Sequence, residues 1–492
     1  AAMECPERKI YTTQFHPEVK HTEFGNQMLK NFLFDICGLE PNWTMDNLVE
    51  TLTADFREKV GSDRVILALS GGVDSSVSAW LLKEQGYNVI GLFMKNWEDD
   101  DDSEYCSSRQ DFIDASAVAD VIGIDIEAVN FAKEYRERVF SDFLREYSAG
   151  RTPNPDVLCN REIKFDVFLR EALKLGADFV ATGHYCRKAE ELLPDGRTVF
   201  KLLAGADPNK DQSYFLCQLS QEQLRYALFP IGDLLKPEVR RIAAKQGLAT
   251  AKRKDSQGIC FVGKVDLPAF LQQKLASKKG NVHEILPSWP KYDRALAAAP
   301  AKAENAAGPG TSDARTNSTL STENRAIPAA ADAEVARTDG EPSTERLTVL
   351  AAPWRYTVRD GKKIGEHNGA HFYTIGQRKG LGISAETRLF VSGKNMAENT
   401  VTVGLESALF RSSLLADEWN WIAAPPAVGQ PLPCTARTRY HQPERPATAT
   451  LLPDGRVRVD FAAPQRAIAP GQAVVLYNGE SVIGGGTILN VE

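Results

Sequence analysis

A short turn rich in glycine and serine carries the strongest chemical signal in this sequence. Its residues, in order, are Ser70, Gly71, Gly72, Val73, Asp74, Ser75 and Ser76. Glycine permits tight turns that expose backbone N–H groups, serine adds hydroxyl donors, and the N-terminus of a following helix adds positive charge. The turn therefore predicts a cradle for phosphate, in preference to a plain strand-to-helix connection. It is not a Walker A loop, because the Gly-Lys-Ser/Thr ending is absent.

Two cysteines lie in polar segments that could carry sulfur chemistry. Cys159 lies in Gly150–Asn160, which contains two prolines, and Cys260 lies in Asp255–Phe261. The thiolate is the nucleophilic form of sulfur, although a cysteine is more often a small buried hydrophobe. The eight cysteines are scattered and none forms a CxxC pair, so neither a disulfide framework nor a structural zinc site is expected. This usage predicts a reducing cytoplasm with mostly free thiols.

The elements around these residues alternate between strand and helix, which predicts an α/β domain built on a parallel sheet with helices on both faces. Ligands bind such sheets at the carboxyl ends of the strands. The predicted elements are strand Arg64–Leu69, helix Ser75–Gln85, strand Asn88–Phe93, helix Asp111–Ile122, strand Glu127–Val129, helix Glu162–Leu175 and strand Phe179–Ala181.

The remaining segments of the chain have different residue patterns. Apolar residues recur at helical spacing over Gln27–Cys37, and a second helix is expected over Met45–Val60. Residues 297–346 are rich in alanine and small polar residues and contain no aromatic residue, so they are expected to be a disordered insertion. Beyond about residue 355, short alternating runs with turns at Pro453–Gly455 and Tyr477–Gly479 predict a small antiparallel barrel or sandwich.

Size and charge restrict the class of protein. A chain of 492 residues should hold two to four domains. No run approaches the length of a membrane-spanning helix, and residues 1–10 lack the apolar core of a secretory signal, although a start without Met suggests processing or truncation. The formal net charge of −7 argues weakly against nucleic-acid binding, but basic residues concentrate in 236–254. Such a cluster is either a solvated helix face or a nucleic-acid contact.

The order of motifs along the chain resembles a known group of enzymes. The phosphate turn is similar to the pyrophosphate loop of the N-type ATP pyrophosphatase superfamily, which implies an adenine nucleotide α-hydrolase-like fold. The whole set resembles the bacterial tRNA-specific 2-thiouridylase family of the MnmA type over about 65–280 and 361–492. The further motifs that carry this resemblance are Gly91–Trp97, Gly150–Asn160, Ala181–Tyr185, Lys210–Phe215, Asp255–Phe261, Gly376–Gly382 and Thr438–Tyr440.

That resemblance implies an ATP-dependent sulfurtransferase that replaces O2 of a tRNA uridine, at wobble position 34, with sulfur. Cys260 would accept a persulfide from a donor protein, and Cys159 would assist delivery by closing a disulfide with it. Asp156 would be the general acid/base. The implied ATP contacts are Ala68, Leu69, Ser70, Gly71, Gly72, Val73, Asp74, Ser75, Met94 and Gly183. The implied tRNA contacts are Asn154, Pro155, Asp156, Lys210, Asp211, Gln212, Arg439 and Tyr440. Mg²⁺ is expected with ATP, and no dedicated metal cage is visible in the sequence.

The N-terminal residues depart from that family. Gln14–Val19 and the helix ending at Cys37 resemble the end of a class I glutamine amidotransferase, most closely the one in GMP synthetase. His16 and Glu18 match two members of its catalytic triad, but Cys5 lacks the glycine elbow of the nucleophile, so no glutaminase activity is expected.

The predicted domains are an amidotransferase remnant and linker over 1–60, an ATP pyrophosphatase domain over 61–270, a central domain over 271–385 and a C-terminal β-barrel over 386–492. Two alternatives stay open: GMP synthetase-like amidation, and an inactive tRNA-binding relic of a fusion. Retention of both cysteines and of the complete phosphate turn argues for an active enzyme. The sequence leaves the oligomeric state, the sulfur donor and the tRNA isoacceptors open.

Overall fold

The computed structural model describes residues 2–5, 7, 10–15, 17, 22, 24–39, 63–97, 107–255, 267–285 and 361–491. Several predictions fall outside these ranges: the helix over Met45–Val60, the insertion at 297–346, and the side chains of Cys260, His16 and Glu18. The chain divides into two compact units. The first contains Ala1–Asp63 and Trp80–Asn88, and the second contains Arg64–Ala79 and Val89–Glu492.

The first unit contains a hairpin and a helical segment. Strand β1 (Ala2–Cys5) pairs antiparallel with β2 (Ile10–Thr13). Helix Gly25–Lys30 continues as a π-helix over Asn31–Ile36, which confirms the helix predicted there. The apolar side chains of the π-helix remain 36–44% exposed, so this segment does not bury them as a core helix would.

A parallel sheet forms the centre of the second unit, as predicted. Its strands are β3 (Arg64–Ala68), β4 (Asn88–Lys95), β5 (Asp125–Asn130), β6 (Phe179–Ala181) and β9 (Ala227–Leu228), in the order β5-β4-β3-β6-β9. Pairing is parallel between β3 and β6, β4 and β5, and β6 and β9. Val65, Ile66 and Leu67 are fully buried, which explains why β3 is a continuous apolar run.

Helices flank this sheet. The predicted helices at 75–85, 111–122 and 162–175 are confirmed with shifted ends, whereas the helical run over 132–148 was not predicted. The helical segments of the sheet domain are Val73–Glu84, Ser107–Ile122, Ala132–Tyr135, Arg136–Phe140, Ser141–Ser148, Pro155–Cys159, Asn160–Val167, Phe168–Lys174, Ser213–Leu216, Gln221–Tyr226, Lys236–Lys245, Ala249–Lys252 and Leu267–Lys274.

A four-stranded sheet forms the central domain. Its strands are β10 (Gly280–Ile285), β11 (Gly361–His367), β12 (Phe390–Asn395) and β13 (Thr400–Gly404), in the order β11-β10-β13-β12. The short helical turn Ala370–Phe372 packs with them. Because β12 and β13 pair within this sheet, we place the boundary with the barrel after Gly404 instead of at 385.

The C-terminal strands close into an antiparallel barrel. They are β14 (Phe410–Trp421), β15 (Pro431–Arg437), β16 (Arg445–Leu451), β17 (Val457–Arg466), β18 (Ala473–Asn478) and β19 (Ser481–Val491). The helical turn Glu406–Leu409 precedes them. Strand β14 pairs with both β17 and β19, which closes the ring. The predicted turn at 453–455 joins β16 to β17, and the turn predicted at 477–479 is present with shifted ends, at 479–480, between β18 and β19.

One hairpin from the sheet domain extends the sheet of the barrel. Strands β7 (Cys186–Leu192) and β8 (Thr198–Ala204) pair with each other, and β8 adjoins β19 through Leu203 and Ser481. The sheet domain and the barrel are therefore connected by backbone pairing as well as by side-chain packing.

Candidate active site

The phosphate turn has the backbone geometry that its glycines predict. Gly71 adopts a φ of +70°, and a Cβ there would lie 2.3 Å from the carbonyl oxygen of Asp111. At Gly72 a Cβ would meet only Ser70 Oγ, at 3.5 Å, so this residue faces open space. Helix Val73–Glu84 begins directly after the turn and points its free N–H groups at it.

The serines fix the shape of the turn. Ser75 Oγ accepts from Ser70 N at 3.2 Å and donates to Gly72 O at 3.1 Å. Ser76 Oγ donates to the same carbonyl at 2.7 Å and accepts from Thr250 Oγ1 at 3.0 Å. Ser75 and Ser76 are buried, whereas Ser70 is exposed. These hydrogen bonds thus hold the turn on the side that packs against the fold, and the side where Ser70 and Gly72 lie remains open.

A buried lysine connects this turn to a second segment. Lys236 Nζ lies 2.7 Å from Asp74 Oδ1 and 2.8 Å from Asp255 Oδ1, and its side chain is 9% exposed. Tyr185 donates its hydroxyl to Asp74 at 2.8 Å. Burial, together with the neighbouring carboxylate of Asp74, raises the pKa of Tyr185, so the phenol remains a donor. Asp74 is therefore fixed by a cation and a neutral hydroxyl.

Asp255 is surrounded by cations. Its carboxylate lies 2.6 Å from Lys210 Nζ and 2.7 Å from the guanidinium of Arg240. Burial alone would raise the pKa of Asp255, but hydrogen bonds from Lys210 and Lys236 outweigh it and bring that pKa down to about 2. The neighbouring Arg253 donates to Gly71 O at 2.9 Å. The segment at 253–255 therefore contacts the phosphate turn directly.

The two other predicted nucleotide contacts lie at the carboxyl ends of strands. Gly183 follows β6, and a Cβ there would lie 2.7 Å from Ser75 N, so only glycine allows this approach to the turn. Met94 lies in β4 and is buried, as are Ala68 and Leu69. The structure thus brings the predicted residues from 70–75 and Gly183 together, whereas Ala68 and Met94 both lie in the hydrophobic core beneath.

Cys159 ends a short helix that follows the double-proline loop. Asn154 caps helix Pro155–Cys159 by accepting from Val157 N at 3.5 Å, and Asp156 lies in its first turn. The thiol of Cys159 is fully buried, while Asn154, Pro155 and Asp156 are half-buried. A cavity of about 140 Å³ adjoins Asn154 and Pro155. The loop can therefore present polar groups beside a protected thiol.

Parts of both later domains hold this loop. Thr152 N donates to Pro470 O at 2.8 Å, and Gln472 Nε2 donates to the carbonyls of Thr152 and Pro153 at 2.9 and 3.2 Å. Thr152 Oγ1 also lies 3.1 Å from Thr374 Oγ1 of the central domain. None of these partners could be identified from the sequence, since they are separated from the loop by more than 200 positions.

The predicted tRNA contacts fall into two groups. Lys210 and Gln212 are half-buried, and Gln212 Oε1 accepts from Tyr185 N at 3.0 Å. Asp211 is buried and accepts from Arg437 at 2.9 Å. Arg439 donates to Ile375 O and Ala467 O, and the ring of Tyr440 lies tilted at 43° to that of Phe215, with the ring centroids 4.4 Å apart. Asp211 and Arg439 thus have structural contacts that the sequence did not reveal, and the role of the whole set in tRNA binding stays a prediction.

The basic cluster at 236–254 also contains both residues with partners inside the fold and residues with exposed side chains. Lys236, Arg240 and Arg253 have partners inside the fold. Four residues of the cluster have exposed side chains: Arg241, Lys245, Lys252 and Lys254. Only part of the cluster is therefore a solvated surface.

Over the ranges that the structure describes, no group of three or more His, Cys, Asp or Glu is placed to hold a metal ion, and no helix is long and apolar enough to cross a membrane. The described cysteines outside the loop are Cys5, Cys37, Cys186, Cys217 and Cys434, all with free thiols.

Four known families match successive parts of the chain. A family described as tRNA methyl transferase HUP domain matches residues 63–264. The tRNA methyl transferase PRC-barrel domain matches 355–405, and the aminomethyltransferase beta-barrel domain matches 411–488. Residues 1–36 match glutamine amidotransferase class-I, as the N-terminal resemblance predicted.

Individual relatives cover most of the chain. A protein of Flavobacterium johnsoniae named tRNA-specific 2-thiouridylase MnmA is 46% identical over 435 residues, which span 86% of this chain and 99% of that protein. The protein of the same name from Ralstonia pickettii is 46% identical over 438 residues, spanning 87% and 96%. Among solved structures, NMN synthetase from Francisella tularensis matches at 14% identity with a TM-score of 0.29, over 44% of this chain and 76% of that one.

Proposed function

Because the chain belongs to the tRNA-specific 2-thiouridylase family, we propose that it replaces the C2 oxygen of a tRNA uridine, at wobble position 34, with sulfur in an ATP-dependent reaction. The observation that carries this proposal is the joint presence of an open phosphate turn and a capped loop ending in a buried cysteine, in a chain that aligns with these relatives over 86–87% of its length. The relatives named above are thiouridylases, which gives no support to amidation or to an inactive relic.

ATP fits the residues of the phosphate turn. A Cβ at Gly72 would project into the open side of the cradle, and Ser70 Oγ and the first N–H groups of helix Val73–Glu84 lie at the same side. These groups would hold the phosphates, with Ala68, Leu69, Met94 and Gly183 shaping the floor. ATP supplies an activating group for O2 of the uracil ring, so that an oxygen otherwise unable to leave departs with AMP. Mg²⁺, carried by the nucleotide, would screen the charge of its phosphates.

A persulfide-bearing donor protein would supply the sulfur, and two cysteines would pass it to the base. A donor protein would leave a persulfide on Cys260, whose outer sulfur forms the new bond to C2 of the uracil ring. The Cys159 thiolate then attacks Sγ of Cys260, which breaks the persulfide S–S bond, leaves the outer sulfur on the base and closes a Cys159–Cys260 disulfide. A thiol reductant must reopen that disulfide before the next turnover. Asp156 would move the proton at the base ring.

Substrate binding would use exposed positive charge and the Asn154–Asp156 edge of the loop. The exposed side chains Arg241, Lys245, Lys252 and Lys254 are suited to phosphates of the tRNA backbone. Lys210, Asp211, Gln212, Arg439 and Tyr440 remain the further predicted contacts. The target uridine must leave the stack of the anticodon loop to reach Asn154 and Pro155. The need for reduced thiols places this chemistry in a reducing compartment, the cytoplasm.

The test is direct thiolation of unmodified tRNA. The full chain is incubated with ATP, a persulfide source, a reductant and tRNA, with and without Mg²⁺, and the digested RNA is analysed for 2-thiouridine by mass spectrometry. The expected product depends on ATP and disappears in Cys159→Ala and Cys260→Ala, while Cys434→Ala retains it. Absence of product from the wild-type chain, when it demonstrably binds ATP and tRNA, would overturn the proposal in favour of an inactive relic.

A further inference from the structure

The loop at 150–153, just before Asn154, is held at its two ends by different domains. On its N-terminal side, Gly150 N and Arg151 N donate to Tyr147 O and Glu146 O within the sheet domain. On its C-terminal side, the carbonyls of Thr152 and Pro153 both accept from the amide of Gln472, which belongs to the barrel. These are the last two peptide carbonyls before the Asn154 cap.

Backbone hydrogen bonds hold Gln472 in place. It lies in the turn that leads into β18, where Gln472 N donates to Ala469 O at 3.2 Å and Gln472 O accepts from Ile488 N at 2.9 Å. The preceding Gly471 has a φ of +91°, and a Cβ there would lie 2.7 Å from Thr152 N. The barrel turn and the loop therefore approach more closely than any side chain at 471 would permit.

We propose that Gln472 is a positioning residue for sulfur transfer, which sets the start of helix Pro155–Cys159 and so the placement of Asp156 and Cys159. Its two amide hydrogens match the two carbonyls, one each. This inference rests on the proposed function for its catalytic consequence, but the geometric claim about Cys159 is independent of it. A displacement of about 1 Å in a reacting group can cost roughly a hundredfold in rate, so loss of this contact should be visible in turnover.

Gln472→Glu is the test variant, because it keeps the shape of the side chain and replaces the amide donor with a carboxylate. The expected result is a kcat for thiolation at neutral pH that is lower by about 10- to 100-fold, with the Kd for ATP unchanged. Gln465→Glu is the matched control, since Gln465 also lies in the barrel and its side chain donates to the nearby Ala463 O. Thermal unfolding of each variant reports whether it folds, and Gln472→Leu replaces Gln472→Glu if the carboxylate prevents folding.

Two readouts separate positioning from a loss of packing. Protonation gives the introduced carboxyl back one donor, so the ratio of Gln472→Glu to wild-type kcat should rise as pH falls from 8 toward 5.5. The fully buried Cys159 should be alkylated by iodoacetamide several-fold faster in Gln472→Glu than in wild type or in Gln465→Glu, as measured by mass spectrometry of the peptide that contains it.

The outcomes are distinct. Wild-type kcat together with a wild-type alkylation rate at Cys159 in the folded variant would overturn the proposal for Gln472. If wild type forms no 2-thiouridine, the proposed function fails, but the alkylation comparison still decides whether Gln472 holds the loop. A reduced kcat without recovery at low pH, and with unchanged alkylation of Cys159, would also reject a positioning role.

Discussion

The ammonium group of Lys236 lies 2.7 Å from Asp74 in the phosphate turn and 2.8 Å from Asp255 in the segment that continues toward Cys260. One buried cation thereby bridges two carboxylates that lie 181 positions apart in the sequence. Each carboxylate has a further donor, Tyr185 for Asp74 and Arg240 for Asp255. The conformation of the turn is therefore coupled to residues far along the chain.

Lys236→Met tests this coupling. Removal of the cation takes the ammonium partner from Asp74, which keeps the neutral hydroxyl of Tyr185, while Asp255 keeps Lys210 and Arg240. A charged hydrogen bond of this kind contributes about 1.5–3 kcal/mol. We expect a lower free energy of unfolding by that order and a weaker affinity for ATP, because the turn loses its support. Urea unfolding and isothermal titration calorimetry measure the two quantities. The control is Arg241→Met, an exposed residue of the same helix; equal behaviour of the two variants would contradict the prediction.

Two glycine substitutions should separate folding from nucleotide binding. In Gly72→Ala the new methyl group meets only Ser70 Oγ at 3.5 Å, so the fold should persist while the methyl group obstructs the phosphates. In Gly183→Ala the methyl group would lie 2.7 Å from Ser75 N, and such crowding costs about 1–3 kcal/mol. Only the second variant should lose thermal stability, whereas both should lose ATP binding by calorimetry. Normal ATP binding by Gly72→Ala would argue against the assigned phosphate site.

The parallel sheet could be predicted because its central strand, β3, is buried on both faces. Val65, Ile66 and Leu67 have no exposed surface, and such strands are uninterrupted apolar runs that sequence reveals directly. The hairpin at 186–204 was missed because polar residues such as Lys188 and Glu190 occupy it, and its outer partner is β19 of the barrel. Pairing between strands that lie so far apart in the sequence cannot be predicted from the local pattern of residues.

The candidate site shows the same limit. The phosphate turn and the cysteine loop could be recognised because the residues that mark each of them are contiguous in the sequence. Lys236 could not, because in sequence it is one of several basic residues and only burial distinguishes it from the exposed Arg241. Gln472 has no local signal at all, since its importance comes from carbonyls more than 300 positions away.

Thiol acidity predicts which other cysteines are dispensable. Burial raises the pKa of Cys217 to about 12 and that of Cys434 to about 11, so neither is ionised at neutral pH. Cys217→Ala and Cys434→Ala should therefore retain most of the thiolation activity that Cys159→Ala abolishes. The measurement is 2-thiouridine formed per enzyme under single-turnover conditions. Loss of activity in folded Cys217→Ala would show that a third thiol takes part.

The pH dependence of stability should reveal the buried amine of Lys394. Burial lowers its pKa from 10.5 to about 8, and its ammonium donates to Tyr373 O at 2.6 Å. Below about pH 8 both the folded and the unfolded chain hold the proton, so the cost of burying the charge is fully present. Between that pH and 10.5 only the unfolded chain keeps the proton, and stability must rise with pH. Above 10.5 neither form is charged and the cost is gone.

The experiment compares wild type with Lys394→Met by thermal unfolding at several pH values from 7 to 10. The melting temperature of wild type should increase relative to that of the variant as pH rises, since the variant has no amine to deprotonate. Burial and the charge of the neighbouring Lys394 lower the pKa of His371, whereas burial raises the pKa of Tyr373, and both of these groups remain in the variant. Lys362→Met, at an exposed position of the same sheet, should show no such trend. A constant difference between wild type and Lys394→Met across the range would mean that the amine titrates normally and is not held in a poorly solvated site.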